Sequence, residues 1–404
     1  MLLDSTMKKN YNFERKTFMR YFIVFIPLLL IFHACKVPGE KVLPGAYLFE
    51  DYDHLIEGKK IGLAGNHTSL VNNTHLVDTL LSRGVRIKKI FGPEHGFRGI
   101  GDAGSGILDE NHPVHQIEII SLYGQKKKPS VADMEDIDIM IFDLQDVGAR
   151  FYTYISTLQY IMEACALAGT DLIVLDRPNP NGFYVDGPVL DTAFSSFVGL
   201  TPVPLVHGMT PGEYAMMLNG EGWLEDGLSC RLHIIKCKNY SHDTCYELPV
   251  KPSPNLPNMN SVYLYPSLCL FEGTVLSCGR GTDSPFQIYG HPDMPDTGFS
   301  FTPGPDEGAS DPLYNGVKCY GKDLRDALAK GVVPVPRLQL QWLIDAYNAF
   351  PAKDSFFTPY ISLLAGSNDL REQIIAGMSE EEIRASWQED LDDFKKIREK
   401  YLLY

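Results

Sequence analysis

The sequence predicts an α/β fold with a parallel sheet, and three observations carry this prediction. In the first half of the chain, short apolar runs alternate with amphipathic stretches, which is the strand–helix–strand order of a parallel sheet with helices on both faces. The run at residues 137–144 is rich in β-branched and apolar residues, as is typical of a strand buried on both faces. From about residue 201, Pro and Gly punctuate the chain densely, which predicts a loop-rich second half.

The individual elements follow from the same periodicities. The predicted strands are residues 60–65, 85–91, 137–144 and 171–175. The predicted helices are residues 74–83, 155–168, 323–329, 338–350 and a last helix that begins at a Ser379–Glu382 capping box and carries an apolar stripe from Ile383 to Tyr401. We place a sheet domain at residues 47–200 and a second domain at residues 201–404.

The N-terminus predicts export and lipidation. Basic residues precede the apolar run Tyr21–Phe32, which is too short to span a bilayer but fits a signal peptide. The next residues end in Ala34-Cys35 and resemble a bacterial lipobox, with Cys35 as the lipid attachment point. We therefore expect a signal peptide at residues 1–34, a linker at 35–46, and a periplasmic protein anchored by lipid, most naturally to the outer membrane. An uncleaved membrane anchor is the alternative.

The charge balance restricts the class of partner. The chain has 36 Lys and Arg residues against 51 Asp and Glu, a formal net charge of −15. So acidic a protein repels phosphate backbones, and nucleic acid is therefore not an expected partner. The net charge does not restrict the substrate, because a binding site can be locally positive on an acidic protein.

Four polar loops follow the predicted strands at the edge where a parallel sheet binds ligands. In open parallel sheets, ligands lie outside the carboxyl ends of the strands. Each loop is rich in charged residues, amides, Gly or Pro, whereas an ordinary turn needs only one or two such residues. The loops are residues 66–69, 92–99, 145–154 and 176–182. Together they indicate a built site on one edge of the sheet.

Glu94 is the strongest catalytic candidate in these loops. A carboxyl group at the mouth of a crevice is partly desolvated, and desolvation raises its pKa toward the working range of a general acid. The alternatives are a helix cap or an ion pair with Arg98. Hydrolysis of a glycosidic bond is one reaction that such a group could catalyse, and it usually needs a second carboxylate, for which Asp146 is the first choice. The further candidates are His95 beside Glu94 and the carboxylates Asp143, Asp176 and Asp283.

Arginines and aromatic residues in the same loops suggest an anionic sugar as substrate. The guanidinium fork pairs with a carboxylate through two parallel hydrogen bonds, and aromatic rings offer stacking faces to sugars. A Gly-rich loop of the second half, residues 277–286, is expected to close over the crevice of the first domain. The candidate substrate-binding residues are Asn66, Arg98, Arg150, Tyr152, Tyr154, Arg177, Asn179, Arg280 and Asp283.

Two patterns that suggest other chemistry are weak here. Residues 99–104 match GxGxxG, but no helix pattern follows them, as a dinucleotide site requires. The histidines, His112 and His115 among them, lack an HExxH or comparable metal-ligand spacing. We therefore expect neither a cofactor nor a metal.

Several long motifs resemble those of a bacterial family of exo-acting β-N-acetylmuramidases, the NamZ type. They are GPEHGFRG at 92–99, FDLQDVGARFYTY at 142–154, LDRPNPNG at 175–182, GRGTDSPF at 279–286 and YLLY at 401–404. The resemblance covers about residues 45–404. It implies a Rossmann-like N-terminal domain, a smaller, loop-rich α+β C-terminal domain, and an active cleft between them.

The resemblance also implies a reaction. The expected activity is release of non-reducing-end N-acetylmuramic acid from peptidoglycan fragments, with Glu94 as the general acid and base. The lactyl carboxylate of this sugar suits a cleft arginine. Where the substrate's 2-acetamido group is itself the nucleophile, Asp146 would orient that group. Two alternatives stay open: a non-catalytic lipoprotein that binds muropeptides or sugars, and a metal-dependent amidase or esterase of the cell wall.

Overall fold

The computed structural model describes residues 40–99, 101, 110–111, 116–328 and 336–404. The expected signal peptide and Cys35 lie outside these residues, as do His112, His115 and most of the 99–104 segment. Within the described ranges, no helix has both the length and the apolar character needed to cross a membrane.

A seven-stranded sheet forms the centre of the first half of the chain. Its order is β11-β8-β7-β1-β4-β6-β5, and every neighbouring pair is parallel except β5 with β6. The strands of the described residues are β1 (Lys60–Gly65), β2 (Leu70–Val71), β3 (Thr74–His75), β4 (Arg86–Gly92), β5 (Glu110–Asn111), β6 (Glu118–Ser121), β7 (Ile139–Asp143), β8 (Asp171–Leu175), β9 (Asp186–Val189), β10 (Pro204–Val206), β11 (Leu232–Ile235), β12 (Ile288–His291), β13 (Ser300–Phe301) and β14 (Cys319–Asp323).

Helices flank the sheet and make up much of the second half. The α-helices of the described residues are α1 (Phe49–Ile56), α2 (Leu76–Ser82), α3 (Tyr154–Ala168), α4 (Pro211–Gly220), α5 (Met259–Leu268), α6 (Leu340–Ala349), α7 (Tyr360–Ala365), α8 (Asp369–Ile375), α9 (Glu380–Ser386) and α10 (Gln388–Glu399). Short 3₁₀ helices lie at Gly45–Tyr47, Thr192–Phe194, Glu225–Gly227, Cys269–Gly273 and Lys353–Ser355.

The side chains of β7 show why the sheet has helices on both faces. Met140 and Phe142 pack into the core that includes α3 and α4, whereas Ile139 and Ile141 pack into the core that includes α1 and α2. Successive strand residues point to opposite faces, so a strand that is apolar at every position must be covered twice. All five residues of β7 are buried. The predicted Rossmann-like α/β fold is confirmed.

The second half is a smaller α+β unit, as predicted. Strands β12, β14 and β13 form an antiparallel sheet, and α5 to α10 surround it. Its core is continuous with the α3 and α4 side of the large sheet. Both halves of the chain therefore share one apolar interior.

The C-terminal segment returns to the first half of the chain. Arg384 of α9 donates to both carboxylate oxygens of Asp186, at 2.8 and 2.7 Å. The Tyr404 hydroxyl donates to Asp176 Oδ2 at 2.7 Å and accepts from the Cys237 backbone N–H at 2.7 Å. Asp176 directly follows β8, so the end of the chain completes hydrogen bonds at the carboxyl edge of the sheet.

Three details differ from the sequence prediction. Strand β11, which the sequence analysis did not predict, pairs in parallel with β8 and adds Leu232–Ile235 to the large sheet. The prediction of a helix at residues 323–329 is wrong for those of them that the structure describes. Asp323 ends β14 and then accepts a hydrogen bond from the Arg325 N–H in a turn. The expected last helix is two helices, since Trp387 between α9 and α10 leaves helical geometry at φ −105°, ψ 4°. The capping box that begins α9 is confirmed.

Candidate active site

A cavity of about 870 Å³ lies at the carboxyl edge of the parallel sheet. The loops that follow β4 and β7 form one wall, and segments of the second half form the other. Its lining includes Glu94, His95, Lys127, Tyr152, Thr153, Tyr154, Phe197, Glu272, Arg280, Phe286, Asp311 and Tyr360.

Glu94 is held at the beginning of helix α3. The loop after β4 turns back on itself, and Gly96 takes a left-handed φ of 73° there. Glu94 is half-buried, and its Oε2 accepts a hydrogen bond of 2.6 Å from the Thr153 hydroxyl. Thr153 is the residue before α3, but its side chain does not cap that helix. The Glu94 carboxylate therefore lies near the positive end of the helix dipole, and the Thr153 hydroxyl fixes its orientation.

His95 lies beside Glu94 and is buried in a strained conformation. Its φ is 66°, a left-handed value that residues with a Cβ rarely adopt. The ring Nδ1 lies 2.6 Å from the Gly101 carbonyl oxygen, so Nδ1 carries a proton and donates it. Such strain persists where the surrounding structure demands a particular geometry, as it does near reacting groups.

Two adjacent tyrosine rings line the cavity. The rings of Tyr152 and Tyr154 pack edge to face with centroids 4.7 Å apart. The Tyr152 hydroxyl donates to the Pro252 carbonyl oxygen at 2.9 Å, and the Asn66 amide donates to the Tyr154 hydroxyl at 2.8 Å. Burial raises the pKa of both tyrosines, and the charge of Glu94 raises it further. Both are therefore neutral hydroxyl groups at neutral pH.

Arg280 reaches the same cavity from the second half of the chain. Its Nε donates to Glu272 Oε1 at 2.6 Å, and its guanidinium lies over the ring of Phe286, 4.9 Å from the centroid. Burial opposes the charge on Arg280, but the negative charge of Glu272 outweighs it and raises the arginine pKa. Within the described residues, Arg280 Nη1 is buried and has no hydrogen-bond partner. One end of the fork therefore remains for a ligand.

Comparison with known proteins identifies the family. The N-terminal model of the exo-β-N-acetylmuramidase NamZ matches residues 61–260, and the C-terminal model matches residues 263–404. The chain belongs to the NamZ family. The chain is 36% identical over 386 residues to the peptidoglycan β-N-acetylmuramidase NamZ of Bacillus subtilis strain 168, covering 88% of this chain and 90% of that protein.

Solved structures extend the likeness of this NamZ-family chain to the whole fold. One DUF1343 family protein from Bacteroides fragilis NCTC 9343 superposes with a TM-score of 0.84 at 45% identity, and a second from the same strain with 0.76 at 28%. Each match covers 90% of this chain and 99% of the other. The arrangement of the two halves is therefore shared across their full length.

Asp146 lies outside the cavity that contains Glu94. It is fully buried, and its Oδ2 accepts from the Gly148 N–H at 2.6 Å and lies 3.8 Å from His207 Nε2. Burial raises the pKa of Asp146 to about 7 and lowers that of His207 to about 3. Asp146 is not among the residues that line the cavity, and its expected role as the second catalytic carboxylate stays a prediction that this placement does not support.

Two of the predicted arginines are internal to the fold. Arg150 donates to the carbonyl oxygens of Pro188, Val203 and Leu364 at 3.0, 2.7 and 2.9 Å, and burial lowers its pKa to about 9. Neither Arg150 nor Arg177 lines the cavity. Their expected role in substrate binding stays a prediction, and the contacts that the structure shows are internal ones that join segments of the fold.

Arg177 forms a buried two-pronged ion pair with Asp143. Its Nε donates to Oδ1 at 2.5 Å and its Nη2 to Oδ2 at 2.9 Å, while the side chains are 2% and 0% exposed. Burial opposes the charged guanidinium, but the pairing with Asp143 raises its pKa. The pair joins the loop after β8 to the end of β7.

The remaining predicted residues support or surround the site without lining the cavity. Asn179 is buried, donates to the Met209 carbonyl oxygen at 2.9 Å and accepts from the Asn181 N–H at 2.8 Å. Asn66 acts on the cavity only through Tyr154. Arg98 and Asp283 are exposed and lie outside the cavity lining.

Glu272, Lys127 and Tyr360 are among the cavity residues that sequence analysis did not single out. Glu272 had a detectable signal, because it is the one charged residue of the apolar stretch 262–276. Lys127 and Tyr360 lie in unremarkable polar surroundings in the sequence. In the fold the Lys127 ammonium lies over the Phe197 ring, 4.7 Å from its centroid. The cavity of this NamZ-family protein thus contains two cationic side chains, Lys127 and Arg280, in its described lining.

Metal-ligand geometry is absent from the described part of the chain. No group of three or more His, Cys, Asp or Glu side chains there is arranged to hold a metal ion. The cavity chemistry of the described residues consists of carboxylates, one histidine, tyrosine hydroxyls and cations, which suit proton transfer and the binding of an anionic ligand.

Proposed function

We propose that this protein is an exo-acting β-N-acetylmuramidase that removes N-acetylmuramic acid from the non-reducing end of peptidoglycan fragments. The observation that carries the proposal is the placement of Glu94, a fixed and half-buried carboxyl group, on a cavity that both halves of the chain enclose. Membership of the NamZ family and the named activity of the B. subtilis relative support it.

Glu94 serves as the general acid and then as the general base. As the glycosidic bond breaks, the leaving oxygen takes a proton from Glu94, and the carboxylate then takes one from the attacking water. The Thr153 hydroxyl donates a hydrogen bond to Glu94 Oε2 at 2.6 Å and so fixes the orientation of the carboxyl group that exchanges protons with the substrate. One fixed rotamer thereby serves both steps.

Arg280 recognises the lactyl carboxylate that distinguishes N-acetylmuramic acid from N-acetylglucosamine. Its Nε is committed to Glu272, and its buried Nη1 is without a partner in the described structure. A buried donor without an acceptor is costly, so a substrate oxygen at that position is strongly favoured. Stacking on Phe286 fixes the plane of the fork, which a two-pronged contact requires.

The test is hydrolysis of a chromogenic N-acetylmuramide by purified wild type beside Glu94→Gln. We expect turnover by the wild type and a loss of about 10²–10⁴-fold on an unactivated disaccharide for the variant, with unchanged thermal unfolding. Tight binding of the fragment without turnover would favour a binding protein instead. Activity abolished by a chelator would favour the metal-dependent amidase or esterase.

We also propose that the mature protein is anchored by lipid at Cys35 in the periplasm. The support is the lipobox-like sequence before Cys35. Cells fed an alkyne fatty acid should label the wild type and leave Cys35→Ala unlabelled. Equal labelling of the two proteins would refute the anchor.

A further inference from the structure

We propose that Glu272 is the second catalytic carboxylate, and that it accepts a hydrogen bond from the N–H of the substrate's 2-acetamido group. The carbonyl oxygen of that group is thereby aimed at the anomeric carbon and acts as the nucleophile. This inference rests on the proposed function and deepens it, because it assigns the chemistry opposite Glu94.

The position of Glu272 sets it apart from the other carboxylates of the described lining. That lining contains three carboxylates, Glu94, Glu272 and Asp311. Asp311 is exposed, whereas the Glu272 side chain is 23% exposed and has fixed partners. Arg280 Nε donates to its Oε1 at 2.6 Å, and the Cys269 thiol donates to its Oε2 at 3.5 Å. Glu272 is therefore oriented before substrate arrives.

Glu94 and Glu272 line the same cavity. Tyr360 lines the cavity on α7, and its pKa is raised first by burial and then by its neighbours Cys269, Glu272 and Glu94. Glu94, Glu272 and Tyr360 all line this one cavity, so both carboxyl groups border the same ligand volume. The two groups thus face a common ligand volume from opposite halves of the chain.

The substitution pattern of the sugar places its acetamido group at Glu272. In N-acetylmuramic acid the lactyl ether is on C3 and the acetamido group is on C2, which is bonded to the anomeric carbon. Arg280 contacts Glu272 through Nε and offers Nη1 to the lactyl carboxylate, so one guanidinium group links Glu272 to the C3 substituent, and C2 is the next ring carbon toward the anomeric centre. An ionised carboxylate only accepts hydrogen bonds, and the acetamido N–H is the donor available there.

The bonds and protons of the reaction then balance. The acetamido oxygen bonds to C1 while the C1–O bond to the leaving group breaks, and the leaving oxygen takes the proton of Glu94. The oxazolinium ring that results is positive, and Glu272 stabilises it through the ring N–H. Water then attacks C1, gives its proton to Glu94, and the ring C–O bond breaks to restore the acetamide. Both displacements invert C1, so the configuration is retained overall.

The first experiment distinguishes the roles of the two carboxylates by comparing two substrates that have different leaving groups. Wild type, Glu94→Gln, Glu272→Gln and the control Glu307→Gln are assayed on 4-nitrophenyl N-acetylmuramide and on the natural disaccharide. Glu307 pairs with Lys251 at 2.6 Å and does not line the cavity. A nitrophenolate leaves without a proton, so Glu94→Gln should lose far more on the disaccharide than on the nitrophenyl glycoside.

Glu272→Gln should instead lose about 10²–10³-fold on both substrates, since a preorganised contact to the reacting group is lost in each case. Glu307→Gln should stay within about twofold of the wild type, as exposed ion pairs contribute little. Glu272→Gln activity near that of the wild type on both substrates would overturn the proposal.

A second experiment uses the wild type alone, so it does not depend on whether Glu272→Gln folds. NMR of the sugar as it is released should show the β-anomer first, and the thiazoline analogue of N-acetylmuramic acid should inhibit competitively. First release of the α-anomer, or no inhibition by the thiazoline, would overturn the inference while leaving the muramidase activity standing. A wild type that cleaves neither glycoside would refute the proposed function itself.

Discussion

Replacement of Arg177 by Met should destabilise the fold without changing substrate recognition. The guanidinium makes two hydrogen bonds to Asp143, at 2.5 and 2.9 Å, and both side chains are almost fully buried. Removing one member of such a pair leaves an uncompensated charge in the interior, which costs about 3–5 kcal/mol. Urea unfolding followed by intrinsic fluorescence measures this loss as a change in the free energy of unfolding.

The matched control is the double variant Asp143→Leu/Arg177→Met. With both charges gone, the apolar pair should recover most of the lost stability, to within about 1–2 kcal/mol of the wild type. The KM for an N-acetylmuramide, per folded molecule, should be unchanged in both proteins. A single variant that keeps its stability but raises that KM tenfold or more would refute the structural role that we assign to Arg177.

Three further predictions follow from other contacts. Burial raises the folded-state pKa of Asp146 from 3.8 to about 7, so its contribution to stability is full below about pH 4 and is lost as the pH rises toward 7. The free energy of unfolding of Asp146→Asn, measured with urea and taken relative to the wild type, should therefore rise by on the order of 4 kcal/mol from pH 4 to pH 8. The same pH dependence of that free energy in both proteins would contradict this. Gly148→Ala should destabilise by about 1–3 kcal/mol in the same assay, because φ is 78° and a Cβ would lie 2.2 Å from Asn179 Oδ1; a neutral result would contradict the close packing. Arg280→Lys keeps the charge but loses the fork, so the KM for an N-acetylmuramide should rise about tenfold while that for an N-acetylglucosaminide does not; equal changes would exclude lactyl recognition by Arg280.

Much of the fold was predictable because buried parallel strands are apolar at nearly every position. Residues 139–143 and 171–175 could be recognised for that reason, and the order of strands and helices then predicted the sheet. Strand β11 could not, because it is four residues long and three of them are only partly buried. Its pairing with β8 is a tertiary contact that leaves little trace in the local pattern.

Only the part of the candidate site that follows the strands of the large sheet could be predicted from the sequence. Glu94 follows a predicted strand, so the topology places it at the ligand edge. Glu272 lies 178 positions further along the chain by its number, and only the folding of the second half over the crevice brings it to the cavity.

The arginines show a limit of a different kind. A polar loop must satisfy its own buried carbonyl groups, and Arg150 does this for three separate segments. Local sequence does not distinguish an arginine that binds backbone carbonyls from one that binds a ligand. The distinction depends on which side chains the rest of the chain covers.

The hydrogen bonds of Tyr404 have a consequence for how the protein is made. Residues translated late supply partners for Asp176 and Cys237, which belong to a region translated much earlier. A nascent sheet domain therefore holds a buried carboxylate without its full set of donors until the ribosome has passed residue 404. Splitting the gene near the middle should yield an insoluble first fragment, and mixing it with the second during refolding should restore solubility.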